Sequence, residues 1–167
     1  AAGILDQGLE APALSVVVSN AEPLLPWQRS VLEEAFRCPV RDTYGMAEMV
    51  AAASECDHGR LHLWPEAGVV EVLDDDGRPL APGATGRLVC TTLVNRRMPL
   101  IRYDTGDRGA LETGDARCLC GRALPILAEI EGRRDDVVIA KDGRRIGRLD
   151  TVFKADLPIR AAQILQL

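Results

Sequence analysis

Three short clusters hold the residues best suited to chemistry. The first is Asp42-Thr43-Tyr44-Gly45-Met46-Ala47-Glu48. A tyrosine ring can stack on a purine, a glycine lets backbone approach a ligand, and a carboxylate can hold a divalent cation near phosphates. The second is Pro99-Leu100-Ile101-Arg102-Tyr103-Asp104-Thr105-Gly106-Asp107. A carboxylate after a glycine at a strand end can bind the paired hydroxyls of a ribose. The third is Gly132-Arg133-Arg134-Asp135-Asp136. Taken singly, each of these is also what a capped or solvated turn looks like. A fourth set is built on sulfur: Cys118-x-Cys120 precedes Gly121, and Cys56 lies upstream with His58 and His62 close by. Thiolates and imidazole are the ligands that tetrahedral Zn2+ prefers. Either histidine can complete a set of four, and four closed ligands leave no position for water, so the site would be structural.

The elements that must position these residues change character along the chain. Leu14–Ser19 is a β-branched apolar run, expected to be a buried strand. Pro26 opens a helix with Trp27, Val31, Leu32 and Ala35 on one face, and Cys38-Pro39 ends it. From Leu61 short runs alternate with turns: Leu61–Trp64, Val69–Leu73, Arg87–Thr92, Ile101–Tyr103 and Val137–Ile139. Asp76-Gly77 and Asp142-Gly143 carry hairpin signals. Further on, Arg148–Ala155 reads as a short helix and Ile159–Leu167 as a strand. The fold class is α/β (α+β). It comprises the end of an α/β unit (1–60), a small antiparallel β-rich subdomain (61–134) and the beginning of a third unit (135–167). Ala1–Gly8 carries no element-start signal, and the last strand runs to the final residue without a turn. The chain is therefore expected to be a piece of a larger protein.

Composition narrows the classes of function. The chain has 167 residues, enough to bury a core without disulfides. Its net charge of −5 argues against a general nucleic-acid binder. No apolar run approaches the roughly 20 residues of a membrane span. Five unevenly spaced cysteines point to a reducing, cytoplasmic setting rather than a disulfide framework. Cys38 and Cys90 lie in apolar surroundings and are assigned to the core.

The three clusters in this order resemble the adenylate-forming superfamily, whose motifs are Y-G-x-[TS]-E, [YR]-x-T-G-D and G-R-x-D-D. The segments P-L-I-R-Y-D-T-G-D, C-L-C-G-R-A-L-P and I-E-G-R-R-D-D, with Ser54-Glu55-Cys56 and Leu61-His62, resemble its phenylacetate–CoA ligase and coenzyme F390 synthetase-like branch. The resemblance runs from about Val16 to Gln166. It implies an ATP-dependent, AMP-forming acyl- or aryl-CoA ligase, in which a carboxylate and ATP give acyl-AMP and coenzyme A then displaces AMP. It implies that Asn20, Ala21 and Glu22 flank the adenine, that Asp42 accepts from its amino group and that Tyr44 packs on the ring. Asp107 would hold the ribose and Arg133 would make a second nucleotide contact. Glu48 would hold Mg2+, and Asp135 would be the hinge of a mobile C-terminal domain. The branch favours Cys56, His62, Cys118 and Cys120 as the Zn2+ ligands, with His58 the competing fourth. Its substrates would be a nucleotide and a carboxylic acid, with a bias toward aromatic acids.

Three departures matter. Ala47 stands where the motif has Thr or Ser, removing a donor worth about 1 kcal/mol. No Ser/Thr/Gly-rich phosphate loop occurs in residues 1–40. The only two lysines, Lys141 and Lys154, are not where the superfamily places its catalytic lysine. The polypeptide is therefore expected not to turn over alone. The alternative is a non-catalytic, zinc-stabilised binding module derived from such an enzyme. Unpaired sheet edges make a homodimer a further expectation.

Overall fold

The computed structural model describes residues 1–21, 24–112, 117–133, 138–142 and 145–146. A short helix α1 (Ala2–Gln7) closes on Gly8 in the left-handed conformation and buries none of its residues. Strand β1 (Val17–Ser19) and helix α2 (Pro26–Phe36) follow. Strands β2 (Val40–Gly45), β3 (Ala52–Glu55), β4 (Leu61–Leu63), β5 (Gly68–Leu73), β6 (Gly86–Thr92), β7 (Tyr103–Leu111) and β8 (Ile126–Arg133) complete the main sheet. Its order is β1-β2-β3-β4-β8-β7-β6-β5. Strands β9 (Val138–Ile139) and β10 (Arg145–Ile146) form a separate antiparallel pair.

The mixed α/β reading holds, with one change of sheet character inside a single strand. The first half of β2 pairs in parallel with β1, Val17 against Val40 through Ser19 against Asp42. The second half pairs antiparallel with β3, Thr43 against Ser54 through Gly45 against Ala52. All pairings from β3 onward in the main sheet are antiparallel. The handover falls at Asp42 and Thr43, inside the first chemical cluster.

Two apolar clusters support this sheet. Ala53, Leu63, Val72, Leu88 and Leu127 form one. Val50, Ala51 and Cys90 form the other, with Tyr44, Met46 and Tyr103 packed on it. Cys38 and Cys90 are both buried, as assigned from their neighbours. Gly68 is the only residue type its position admits, because a Cβ would collide with the carbonyl oxygens of Val50 and Thr91.

Several expectations are corrected. The run Leu14–Ser19 narrows to β1, an edge strand on which Val18 is 60% exposed, so it is not buried. Trp27 begins α2 on the expected turn but is exposed, leaving Ala35 as the buried residue of that helix. Ile101 is 77% exposed and precedes the strand: Arg102 has a positive φ of 49°, which extended backbone cannot continue through. The expected helix over 148–155 and strand over 159–167 lie outside the described residues.

Candidate functional site

The second cluster is built to aim one carboxylate. Between the pairs Val89–Asp104 and Arg87–Arg108, β6 advances by Leu88 alone while β7 advances by Thr105, Gly106 and Asp107. Thr105 is buried, and its hydroxyl donates to the Leu88 carbonyl (2.9 Å) while accepting the Asp107 N–H (3.1 Å). Gly106 has φ 78°, a conformation that favours glycine, and its N–H donates to Asp104 Oδ1 (3.0 Å). Asp104 is itself held by Arg87 at 2.8 Å. Each of Asp104, Thr105 and Gly106 thus has a local task, and their joint result is a bulge that takes Asp107 out of register with β6.

Tyr44, from β2, meets that carboxylate. Its hydroxyl donates to Asp107 Oδ2 at 2.9 Å across 63 residues of sequence. Burial raises the Tyr44 pKa, and the Asp107 charge and hydrogen bond raise it further. The phenol is therefore a committed donor. Arg133 ends β8 directly opposite Asp107 in the ladder, so the second and third clusters adjoin at the backbone.

Asp42 lies two residues upstream, where β2 changes partner. Its N–H donates to Glu55 Oε2 (2.6 Å), and Arg29 of α2 holds the same oxygen at 2.8 Å. Burial raises the Asp42 pKa; the Thr43 N–H opposes this and the Glu55 charge reinforces it. Asn20 and Ala21 follow β1 and are exposed beside the end of the parallel pair. Ala21 has φ 74°, which is unusual for a residue with a Cβ. Glu22 and Asp135 lie outside the described residues.

Glu48 sits in the turn after β2, closed by Met49 N–H on the Met46 carbonyl (3.0 Å). Ala47 is exposed in that turn. The Tyr103 hydroxyl donates to Glu48 Oε1 at 3.3 Å. The chain's two tyrosines therefore each carry a hydroxyl on a carboxylate of the first or second cluster, and both rings rest on the Val50, Ala51 and Cys90 floor. Tyr103 belongs to the second motif and Glu55 to Ser54-Glu55-Cys56, but neither motif gives them a role, and no local signal links Arg29 of α2 to the end of β3.

The sulfur cluster forms elsewhere, where β3, β4 and β8 end. One ligand atom each from Cys56, His62, Cys118 and Cys120 lies within 4.8 Å of the others. Cys56 Sγ and Cys118 Sγ are 3.7 Å apart, and Cys120 Sγ is 3.3 Å from His62 Nε2. Zn–S and Zn–N bonds of about 2.3 and 2.0 Å at tetrahedral angles would set these separations at about 3.8 and 3.5 Å. Two matching turns supply the sulfurs. Cys56-Asp57-His58-Gly59 closes Gly59 N–H on the Cys56 carbonyl (3.1 Å), and Cys118-Leu119-Cys120-Gly121 closes Gly121 N–H on the Cys118 carbonyl (3.0 Å). Gly59 and Gly121 have φ of 71° and 78°. The His58 N–H donates to Cys56 Sγ (3.4 Å), so His58 contributes backbone, while its ring faces Asp57 at 3.9 Å and is substantially exposed.

The charge on these thiols suits a cation. Burial opposes ionisation of Cys56, but the Arg60 and His58 backbone, with Cys118 and His62, bring its pKa down to about 6. At Cys118 the Cys120 N–H favours the thiolate, yet burial and the neighbouring thiols win and raise it. Thiolates this close repel, and a divalent cation removes the conflict. His62 is 1% exposed and turns Nε2 toward Cys120 Sγ, the nitrogen through which a metal–imidazole bond would form. The residues present therefore fit Zn2+. Beside them an ion pair joins Arg60 to Glu112, and the Glu112 N–H donates to the Ile126 carbonyl (3.0 Å).

No family model matches the chain. The phenylacetate–coenzyme A ligase of Thermus thermophilus is 37% identical over 137 residues, 79% of this chain and 30% of that protein. The phenylacetate–coenzyme A ligase of Escherichia coli K12 is 33% identical over 134 residues, covering 77% and 30%. Over about four-fifths of its length the chain is homologous to adenylate-forming acyl- and aryl-CoA ligases. The solved structure of 2-hydroxyisobutyryl-CoA ligase, with an acyl-AMP bound, superposes with a TM-score of 0.69 at 29% identity, covering 80% of this chain and 29% of that one. The chain thus spans about a third of the length of the curated relatives it matches. Among the described residues, no helix is long and apolar enough to cross a membrane.

Proposed function

We propose that this chain carries the adenine- and ribose-binding half of an ATP-dependent, AMP-forming acid–thiol ligase of the phenylacetate–CoA ligase branch. The observation that carries the reading is the Tyr44–Asp107 contact, which joins the first two motifs into one surface. The Tyr44 ring offers a face for adenine. Asp107 accepts from the ribose hydroxyls, with its second oxygen occupied by the phenol. Asp42 accepts from the adenine amino group beside Asn20, Ala21 and Glu22. Arg133 adds a nucleotide contact next to Asp107, and Asp135 is the hinge at which the unit from 135 to 167 turns. Glu48 holds Mg2+, which when bound supplies charge to the phosphates. Cys56, His62, Cys118 and Cys120 hold a structural Zn2+ that ties the loop before β8 to the end of β3. The setting is reducing and cytoplasmic, and the acid is aromatic by kinship alone.

The reaction is mostly positioning and electrostatics, and the phosphate loop and lysine of the superfamily do not occur in this sequence. The isolated chain is therefore expected to bind AMP, to prefer it over GMP, and to show no ATP–pyrophosphate exchange above background. Calorimetric titration with both nucleotides, beside the exchange assay, checks this. Equal affinity for AMP and GMP would refute the adenine pocket. Ala47 favours the non-catalytic binding module as a second reading, and reconstitution with the missing portions of a relative separates the two: a dead module gives no exchange even then.

A further inference from the structure

The turn that carries Glu48 cannot hold itself. It has one internal backbone hydrogen bond, and Met49 adopts φ 55°, a left-handed conformation that a residue with a Cβ rarely takes. What fixes it arrives from the segment joining β6 to β7. The Thr92 hydroxyl donates to the Met49 carbonyl at 2.8 Å. It also accepts the Asn95 N–H at 3.0 Å, so the hydroxyl is used in both directions. Asn95 Nδ2 then donates to the Glu48 carbonyl at 3.1 Å, while Asn95 Oδ1 accepts the Met98 N–H at 3.1 Å. Tyr103 completes the set at the Glu48 carboxylate.

Asn95 stands apart from its surroundings. Leu93, Val94, Arg96, Arg97 and Met98 are all exposed, whereas Asn95 is half-buried with both ends of its amide engaged. The two ends have separate tasks. The oxygen shapes its own loop, and the nitrogen reaches 47 residues back to Glu48. We propose that Asn95 is a positioning residue for Glu48, acting with Thr92 on the main chain and Tyr103 on the carboxylate to set the cation-holding oxygens. The inference rests on Glu48 being the Mg2+ carboxylate. A cation near nucleotide phosphates demands near-ideal octahedral geometry, so a swing of the Glu48 turn costs metal affinity before it costs fold.

Asn95→Asp separates the tasks, because it keeps the acceptor for Met98 and replaces the donor to Glu48 with a second carboxylate oxygen. Tyr103→Phe removes the hydroxyl contact to the Glu48 carboxylate and keeps the ring. The test measures ATP affinity of the full chain with and without Mg2+, alongside AMP affinity in EDTA after the zinc content has been confirmed. The wild-type chain should gain about tenfold in ATP affinity from Mg2+, and Glu48→Gln should lose that gain. Asn95→Asp and Tyr103→Phe should cut it to about threefold or less, with metal-free AMP affinity within about twofold of wild type. Asn95→Asp and Tyr103→Phe keeping the full gain while Glu48→Gln loses it would overturn the positioning role and leave Glu48 in place. Glu48→Gln keeping the gain, or no gain in the wild-type chain, would overturn the Glu48 reading and the inference with it. A loss of metal-free AMP binding in Asn95→Asp would also overturn the inference, since that is the mark of a purely structural residue.

Discussion

At the scale of single residues, Tyr44 separates two functions that one ring usually blurs. Its hydroxyl is spent on Asp107, while the proposed reading uses its ring to stack on a base. Tyr44→Phe should cost about 1 kcal/mol of stability through the lost hydrogen bond and leave AMP affinity within about threefold. Tyr44→Leu keeps apolar volume but removes the π face, and should weaken AMP binding about ten- to a hundredfold. Thermal melts and nucleotide titration on the two variants check this. Asp42 invites the opposite trade. Its pKa is raised mainly by burial, so the folded chain prefers it protonated. That stabilising preference is present below the unfolded pKa and fades as pH rises through the folded one, leaving ionised Asp42 a burden near pH 7. Asp42→Asn should therefore hold or raise the melting temperature at pH 7 while weakening adenine selectivity. A lower melting temperature with unchanged selectivity would reverse that assignment. Cys90 offers a control. Burial, with the charges of Asp107, Glu71 and Asp104, pushes its thiol up to about 12, and it is fully buried. Iodoacetamide at pH 8 should leave it unlabelled in the folded chain and label it in denaturant, as read by peptide mass spectrometry.

At the scale of elements, turns rather than strands do the aiming. The bulge at Thr105-Gly106-Asp107 points a carboxylate, and the paired turns ending in Gly59 and Gly121 point three sulfurs. Nothing crowds a Cβ at Gly121, so Gly121→Ala should cost only the left-handed backbone penalty of about 1 kcal/mol. Gly68→Ala meets two backbone carbonyls and should destabilise by about 3 kcal/mol or more. Urea unfolding of both variants checks the ranking. The same contrast explains what could be read in advance. β5 and β6 are β-branched and apolar, and they appear where expected. β3 is A-A-S-E, a sequence with little intrinsic strand preference, formed because the sheet buries Ala53. β2, V-R-D-T-Y-G, has strand formers at Val40, Thr43 and Tyr44 but no apolar alternation. β8, with its spaced Ile126, Leu127 and Ile130, resembles a helix pattern until β7 and β4 flank it. Motif residues were legible because their types are rare together. Asn95, Thr92 and Glu55 were not, because a polar residue reaching a distant carbonyl or amide leaves no local period.

At the scale of the whole molecule, the candidate nucleotide surface and the sulfur cluster are linked through β3. Glu55, at its last position, receives Asp42 and Arg29, and Cys56 follows it directly. With few aromatic residues in the chain, a metal held by Cys56, His62, Cys118 and Cys120 would tie three chain segments together and stand in for core area. One zinc per chain is expected by elemental analysis under reducing conditions. Its removal by a strong chelator should lower the melting temperature by roughly 10 °C or more. Cys118→Ser should reproduce both effects.

The most direct measurement sets the ribose against Asp107. AMP and 2′,3′-dideoxy-AMP are titrated into the wild-type chain and into Asp107→Asn. The wild-type chain should bind AMP about tenfold or more tightly than the dideoxy analogue, since each charged acceptor bond contributes roughly 1.5–3 kcal/mol. In Asp107→Asn the two ligands should converge to within about threefold. Equal affinity of the wild-type chain for both ligands, or undiminished discrimination in Asp107→Asn, would contradict the assignment of this surface to the adenylate.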